Sequence, residues 1–289
     1  MFALAGLLAG CEEKPAVAPA GPQVLRVAVS ETLVPAAERQ AWYFAQRTPG
    51  LTSDVLPRTA RGALVALLAD SVYAVLIDRP LNEEERQALA ARDVEPLVIH
   101  VGTGALALVV HPSNPLDSLA RGSVPRLLRR RGGWGETVPG GLTQAVELVS
   151  TGRNSGLYEI AATRFAPGAG DLALAHVAPS QDSVLAYVAR RPGALGLVSL
   201  EALRDTVLAR RVKVLAVRDS GAAMRPNQMN VYLRKYPLRY EAYYVTTRPQ
   251  RSVEARFATF IMSDVGQRAV QRVGLVPAKI PAYRFIVTQ

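Results

Sequence analysis

Short, apolar runs of β-prone residues, each closed by a polar loop and followed by a helical pattern, constrain this chain most. The clearest is Val72-Tyr73-Ala74-Val75-Leu76-Ile77, six residues without a charged or strongly polar interruption. A strand with one wet face alternates apolar and polar residues, whereas a continuous run of this length belongs in a sheet covered on both faces. Ala105 to Val110 has the same character. Strands are expected over 24–29, 52–56, 72–77 and 94–99, with helices over 34–47, 62–69 and 82–92 between them. Pro49-Gly50 closes the first helix. This βαβαβαβ order predicts a parallel sheet with helices on both faces.

A second unit opens with the 105–110 strand and the turn His111-Pro112-Ser113-Asn114-Pro115. Helices are expected over 124–130, 143–149, 156–165 and 180–189, and strands over 194–198, 212–217 and 240–246. Helical patterns at 252–263 and 265–273 end the chain. Two α/β units with a helical return predict an α/β, two-lobed protein with a cleft between the lobes. The chain is expected to cross between lobes near 100–104 and 236–245. Lobe 1 would comprise 23–100 and 241–289, and lobe 2 the segment 101–240. At 289 residues and 49% hydrophobic content the chain can build cores for two modest domains.

The formal net charge is +10, carried almost wholly by arginine, since Lys14, Lys213, Lys235 and Lys279 are the only lysines. A positive field of this size favours anionic ligands, a membrane surface or nucleic acid. Cys11 is the single cysteine, which excludes an internal disulfide framework and a Cys-rich metal site. Residues 1–10 are almost entirely apolar, too short to span a bilayer and read as the apolar core of a signal peptide. Leu8-Ala9-Gly10-Cys11 resembles a bacterial lipobox, in which the cysteine is lipidated and becomes the mature N-terminus. The Pro/Ala-rich stretch to residue 22 then reads as an extended tether.

Asp78-Arg79-Pro80-Leu81 stands just beyond the buried run, where open α/β sheets bind ligands. Asp78 could instead cap the helix that follows, with Arg79 facing water. Two more polar loops, Ser30-Glu31-Thr32 and Thr151-Gly152-Arg153-Asn154-Ser155-Gly156, also precede helices. Other chemistries lack their constellations. His100, His111 and His176 have no partner at metal-ligand spacing. Gly152-Arg153-Asn154-Ser155-Gly156 lacks the spacing of a nucleophile elbow, and no strand is expected directly before it. Gly132-Gly133-Trp134-Gly135 has no Lys-Ser/Thr to cradle phosphates. Arg126, Arg129, Arg130 and Arg131 fit a solvated helix face better than a nucleic-acid surface.

Several motifs, in order, resemble the periplasmic phosphate-binding proteins that serve ABC transporters. Val29-Ser30-Glu31-Thr32-Leu33 with Trp42 resembles the opening ligand loop and helix, and Leu76-Ile77-Asp78-Arg79-Pro80-Leu81 the strand-end loop with an acidic ligand. Leu106 to Val110 with Pro112-Ser113-Asn114-Pro115-Leu116 resembles the strand that opens the second lobe. Arg153-Asn154-Ser155-Gly156 resembles the phosphate loop, and Gly193 to Leu200 the Gly-Tyr-Val-Ser strand. Tyr236-Pro237-Leu238-Arg239 resembles the crossover, and Phe260 to Ser263 with Gly266-Gln267, Gly274 and Pro277 the last helix. The chain departs at Leu157, where the family has a threonine, at Leu197, where it has a tyrosine, and at Glu31, a charge in the opening loop.

The resemblance implies an extracytoplasmic binding protein that passes phosphate or a similar oxyanion to a transporter permease, without catalysis, cofactor, metal or nucleic acid. The expected ligand set is Ser30, Thr32, Thr59, Asp78, Arg79, Arg153, Asn154, Ser155 and Gly156. Hydroxyls and free N–H groups at helix starts would donate to the anion, and Arg153 could grip two of its oxygens. Asp78 can only accept, so it would select a protonated oxyanion over sulfate. The alternative is an anchored scaffold that keeps the fold without tight binding, as Leu157 and Glu31 would favour.

Overall fold

In the computed structural model, which describes residues 23–129, 132–168, 170–204 and 207–281, the first unit runs β1 (Gln23–Ser30), α1 (Val34–Ala45), β2 (Leu51–Arg58), α2 (Ala60–Leu68), β3 (Ala74–Ile77) and α3 (Glu83–Ala90). β2 and β3 flank β1 and run parallel to it. All four residues of β3 are buried, and they face opposite ways. Ala74 and Leu76 join a core containing α1 residues, while Val75 and Ile77 join one with Ala63, Leu64 and Leu67 of α2 and Leu89 of α3. Two covered faces explain the run of apolar residues that first marked this strand.

The chain continues through β4 (Leu97–Val110), β5 (Ser118–Ala120), α4 (Val124–Arg129), α5 (Trp134–Thr137), β6 (Glu147–Ser150), α6 (Gly156–Ile160) and β7 (Leu174–Val177). Then come α7 (Gln181–Val188), β8 (Ala194–Ser199), β9 (Lys213–Val214), β10 (Ala216–Arg218), α8 (Gln228–Tyr232), β11 (Arg239–Thr246), α9 (Val253–Ile261), α10 (Asp264–Arg272) and β12 (Val276–Pro277). Strands connect in the order β2-β1-β3-β11-β4-β8-β6-β7, with β9 and β12 also pairing with β4.

Four expectations are corrected. The strands expected at 94–99 and 105–110 are one 14-residue strand, β4. Gly102 and Gly104, within the expected crossing, permit close packing: a side chain there would strike the Val276 carbonyl or the Tyr240 ring. The first sheet is mixed rather than parallel, because the returning β11 inserts antiparallel between β3 and β4. The helix expected at 143–149 is instead irregular chain leading into β6, whose Leu148 and Val149 enter cores on opposite faces. The 212–217 run divides at Leu215, so that β9 pairs with β4 while β10 pairs with β5.

β4 belongs to both halves of this two-lobed fold. Leu97 to Ala105 pairs with β11, and Leu106 to Val110 pairs with β8. The buried clusters change over at the same place: Val101 and Ala242 pack with the β1 side, whereas Ala105 and Tyr240 pack with the β8 side. Arg129 is not part of a free basic face, since its guanidinium donates to the Ala162, Ala166 and Gly170 carbonyls. Arg130 and Arg131 lie outside the described residues, as does Cys11. Among the described residues no helix is long and apolar enough to cross a membrane.

Candidate functional site

Four buried strands end in polar residues. Ser30 ends β1, Asp78 follows β3, Ser150 ends β6 and Ser199 ends β8, and all four are fully buried. These are carboxyl ends of parallel pairs, β1 with β3 and β6 with β8. Ligand sites of open α/β sheets form at such ends.

Asp78 ties the two halves together. The Thr32 hydroxyl donates to its Oδ2 at 2.7 Å, and its Oδ1 has no hydrogen-bond partner. That oxygen lies so close to Gly156 that a Cβ there would sit 1.7 Å from it. Burial pushes the Asp78 carboxyl above its usual range, against the pull of the Thr32 and Ser30 hydroxyls. Ser155, beside Gly156, is also fully buried and does not cap α6. The hydroxyls of Ser30, Ser150 and Ser155 make no well-formed hydrogen bond. Buried polar atoms are ordinarily paired, so this concentration of orphans marks a place built to receive donors or acceptors.

Two further carboxylates border it. Glu31 accepts from the Thr151 hydroxyl at 3.0 Å, a contact between the β1 turn and the loop after β6. Burial raises the Glu31 carboxyl; Ser155 and Thr151 pull it down, and Asp78 pushes it further up. Glu201, just beyond β8, accepts from the Tyr240 hydroxyl at 3.0 Å, while its other oxygen is buried without a partner. Part of the Glu201 residue reaches solvent, but its Oε1 is buried, and burial pushes the carboxyl up to about 7.

The structure thus brings together Ser30, Thr32, Asp78, Ser155 and Gly156. It places the other expected residues elsewhere. Thr59 caps α2, accepting from the Gly62 N–H at 3.1 Å. Arg79 is buried but engaged: it grips both Glu85 oxygens, at 2.8 and 2.7 Å, and pairs with Glu159 at 2.6 Å. Burial works against its charge, yet these two carboxylates hold it above its usual value. Arg153 keeps 68% of its side chain exposed and pairs with Asp171 at 2.7 Å, so it can touch a ligand in the cluster only by leaving Asp171. Asn154 is exposed and offers its backbone carbonyl to the Arg61 N–H. Leu157 fills the second core, as does Leu197, so neither departure from the family pattern faces the cluster.

Openings border the cluster on two sides. One, of about 300 Å³, is lined by Asp78, Arg79, Glu159 and Tyr240 among others. The other, of about 560 Å³, includes Glu31, Thr32, Ser180, Ser199, Glu201 and Arg204. Sequence reasoning missed Ser150, Ser199, Glu201 and Tyr240 as site residues. Ser150 and Ser199 carry the signal that marked Asp78: a polar residue at the end of an apolar strand. A strand does precede the 151–156 loop, contrary to expectation, because β6 ends at Ser150.

The PBP superfamily domain matches residues 16–265. The chain belongs to that superfamily. It is 24% identical over 267 residues to Protein SphX of Synechococcus elongatus, covering 88% of this chain and 77% of that protein. It is 25% identical over 226 residues to the phosphate-binding protein PstS of Pseudomonas aeruginosa, covering 70% and 66%. A candidate phosphate ABC transporter substrate-binding protein from Clostridium perfringens, solved with bound phosphate, superposes with a TM-score of 0.75 at 18% identity, over 89% of this chain and 100% of that one. The two-lobed fold is therefore that of the phosphate-binding proteins, as the ordered motifs implied.

Gly156→Ala is expected to lower the melting temperature and spread the Asp78 contact, because its methyl group has no space against a buried carboxylate. Thermal unfolding together with a crystal structure of the variant checks this; an unchanged melting temperature and an undisturbed Asp78 would contradict it.

Glu201 gives a pH-dependent stability. Its folded pKa, about 7, lies above the ordinary 4.5, so the folded state holds the proton more tightly. Its contribution is greatest below about pH 4.5 and is lost as pH rises to about 7. Glu201→Gln should therefore be more stable than the parent at pH 8, by up to ~3 kcal/mol, and equal to it near pH 4. Urea unfolding at the two pH values reads the difference.

Proposed function

We propose that this chain is an extracytoplasmic solute-binding protein that captures phosphate, or a related protonated oxyanion, between its lobes for uptake by an ABC transporter permease. The observation that carries this reading is the fully buried Asp78, surrounded by the orphaned hydroxyls of Ser30, Ser150 and Ser155. Hydroxyls can donate to an oxyanion, and Asp78 accepts from the proton that hydrogen phosphate keeps and sulfate lacks. The names of the P. aeruginosa relative and the C. perfringens structure agree with this choice of ligand. Ser30, Thr32, Asp78, Ser155 and the Gly156 N–H form the proposed ligand set. Lobe 1 comprises 23–100 and 241–289 and lobe 2 comprises 101–240, which puts the cluster between them. No catalytic step is assigned.

A second reading, an anchored scaffold without tight binding, draws support from the commitments of Arg79 and Arg153 to carboxylates of the protein itself. Calorimetric titration of the mature chain with phosphate, sulfate and molybdate separates the two. Phosphate should bind, with sulfate weaker by orders of magnitude, since a site built around one hydrogen bond can reject a ligand lacking it by about 10⁴. Asp78→Asn should narrow that gap, because an amide can donate to sulfate. If phosphate gives no binding, the scaffold reading takes its place.

Cys11 is proposed as the lipidation site and the attachment to the membrane, with residues 1–10 removed. Expression in a lipoprotein-processing bacterium should yield an intact mass that starts at Cys11 and carries two or three acyl chains, as stable anchoring requires. A soluble secreted product with an unmodified Cys11 would exclude the anchor.

A further inference from the structure

The chain carries a net charge of +10, yet the cluster around Asp78 is acidic. Glu31, Asp78 and Glu201 approach it from three places: the turn after β1, the end of β3 and the turn after β8. The Asp78 charge pushes up the carboxyls of Glu31 and Glu201 and the Tyr240 hydroxyl. The charged groups that face them offset this charge only in part, since their own contacts are with other groups. On the Asp78 side, Arg79 is held by Glu85 and Glu159. At the opening that Glu31 and Glu201 share stand Asp182, Arg204 and Arg272. Arg204 donates to the Arg272 carbonyl, and Arg272 donates to the Tyr43 hydroxyl at 2.9 Å. The buried, unpartnered hydroxyls of Ser30, Ser150 and Ser155 mark the cluster as a ligand position independently of its charge.

An anion entering beside three ionised carboxylates meets like charges that burial leaves poorly screened. Each proton added to such a pair removes a repulsion and supplies a donor. A shared metal ion is the other way to join carboxylates to an anion, but among the described residues no three acidic, His or Cys side chains are placed to hold one. We propose that this cleft takes its anion together with protons: phosphate is bound in its monobasic form, the protons being shared between its oxygens and the carboxylates of Glu31, Asp78 and Glu201, so that capture strengthens as pH falls. This rests on the phosphate-binding reading above. The protons come from solvent on binding and return to it on release.

Burial already holds all three carboxyls above their ordinary range, Glu201 at about 7, so Glu201 exchanges its proton near neutrality. A bound anion raises these groups further. The complex then holds more protons than the free protein, and affinity falls with rising pH by about tenfold per unit for each proton taken up.

The test is calorimetric titration of the mature chain with inorganic phosphate between pH 6 and pH 8.5, in two buffers of different ionisation enthalpy. Proton uptake of about one per phosphate above neutrality, beside a roughly tenfold loss of affinity per pH unit, is the expected result. Glu31→Gln should reduce both the slope and the proton count, and the parent protein alone decides the matter if that variant does not fold. Binding without proton uptake, or with affinity level or rising with pH, overturns the inference and leaves phosphate binding intact. Binding that requires added magnesium or calcium also overturns it, by giving the carboxylates to a metal. No binding at any pH removes the inference and the phosphate-binding reading together.

Discussion

The contact between the Asp78 carboxylate and the backbone at Gly156 organises this molecule. It joins the end of β3 to the start of α6, and nothing larger than glycine fits on the far side. An ionisable group without solvent exposure is expensive to keep charged, and its neighbours answer that cost unevenly. Thr32 satisfies one oxygen, while the other is left to whatever enters the cleft. Because Oδ1 is already pressed against Gly156, a ligand in the proposed site would either move that oxygen or bridge it, which would make lobe position and ligand occupancy parts of one event.

Arg79 shows how the surrounding charges are managed. It follows Asp78 directly, yet its guanidinium is neutralised by two carboxylates instead of facing the cluster. One of them, Glu85, also completes the capping box of α3 with Asn82, so the start of that helix and the placement of Arg79 depend on one side chain. The other, Glu159, rides on α6. Arg79 is therefore a buried strut between the two halves, and its pairing is excellent because both carboxylates arrive with hydrogen-bonding or close ion-pair geometry.

The strands were legible wherever burial on two faces left an uninterrupted apolar run, as in β3, and the carboxyl ends of the first and third drew attention to Ser30 and Asp78. β6 was misread because four residues are too few for period to separate strand from helix. β4 was divided in two because residues 100–104 were read as a crossing between lobes, whereas Gly102 and Gly104 there admit the Val276 carbonyl and the Tyr240 ring. The arginines were the least legible part. Sequence identifies a guanidinium near a site but not which carboxylate has already taken it, and Glu85, Glu159 and Asp171 are partners that only the folded chain reveals. Thr59 followed the commonest use of a hydroxyl before a helix.

A single strand shared by both halves has a consequence for how this protein can change over evolutionary time. Side chains of β4 alternate between opposite faces on either side of a bulge at Val101, so inserting or deleting a further residue within either stretch would exchange inside for outside beyond that point. Loops can lengthen on either half without the other noticing. β4 cannot: it works as a shared ruler, and the bulge at Val101 fixes the one-residue offset with which both hydrophobic interiors read it.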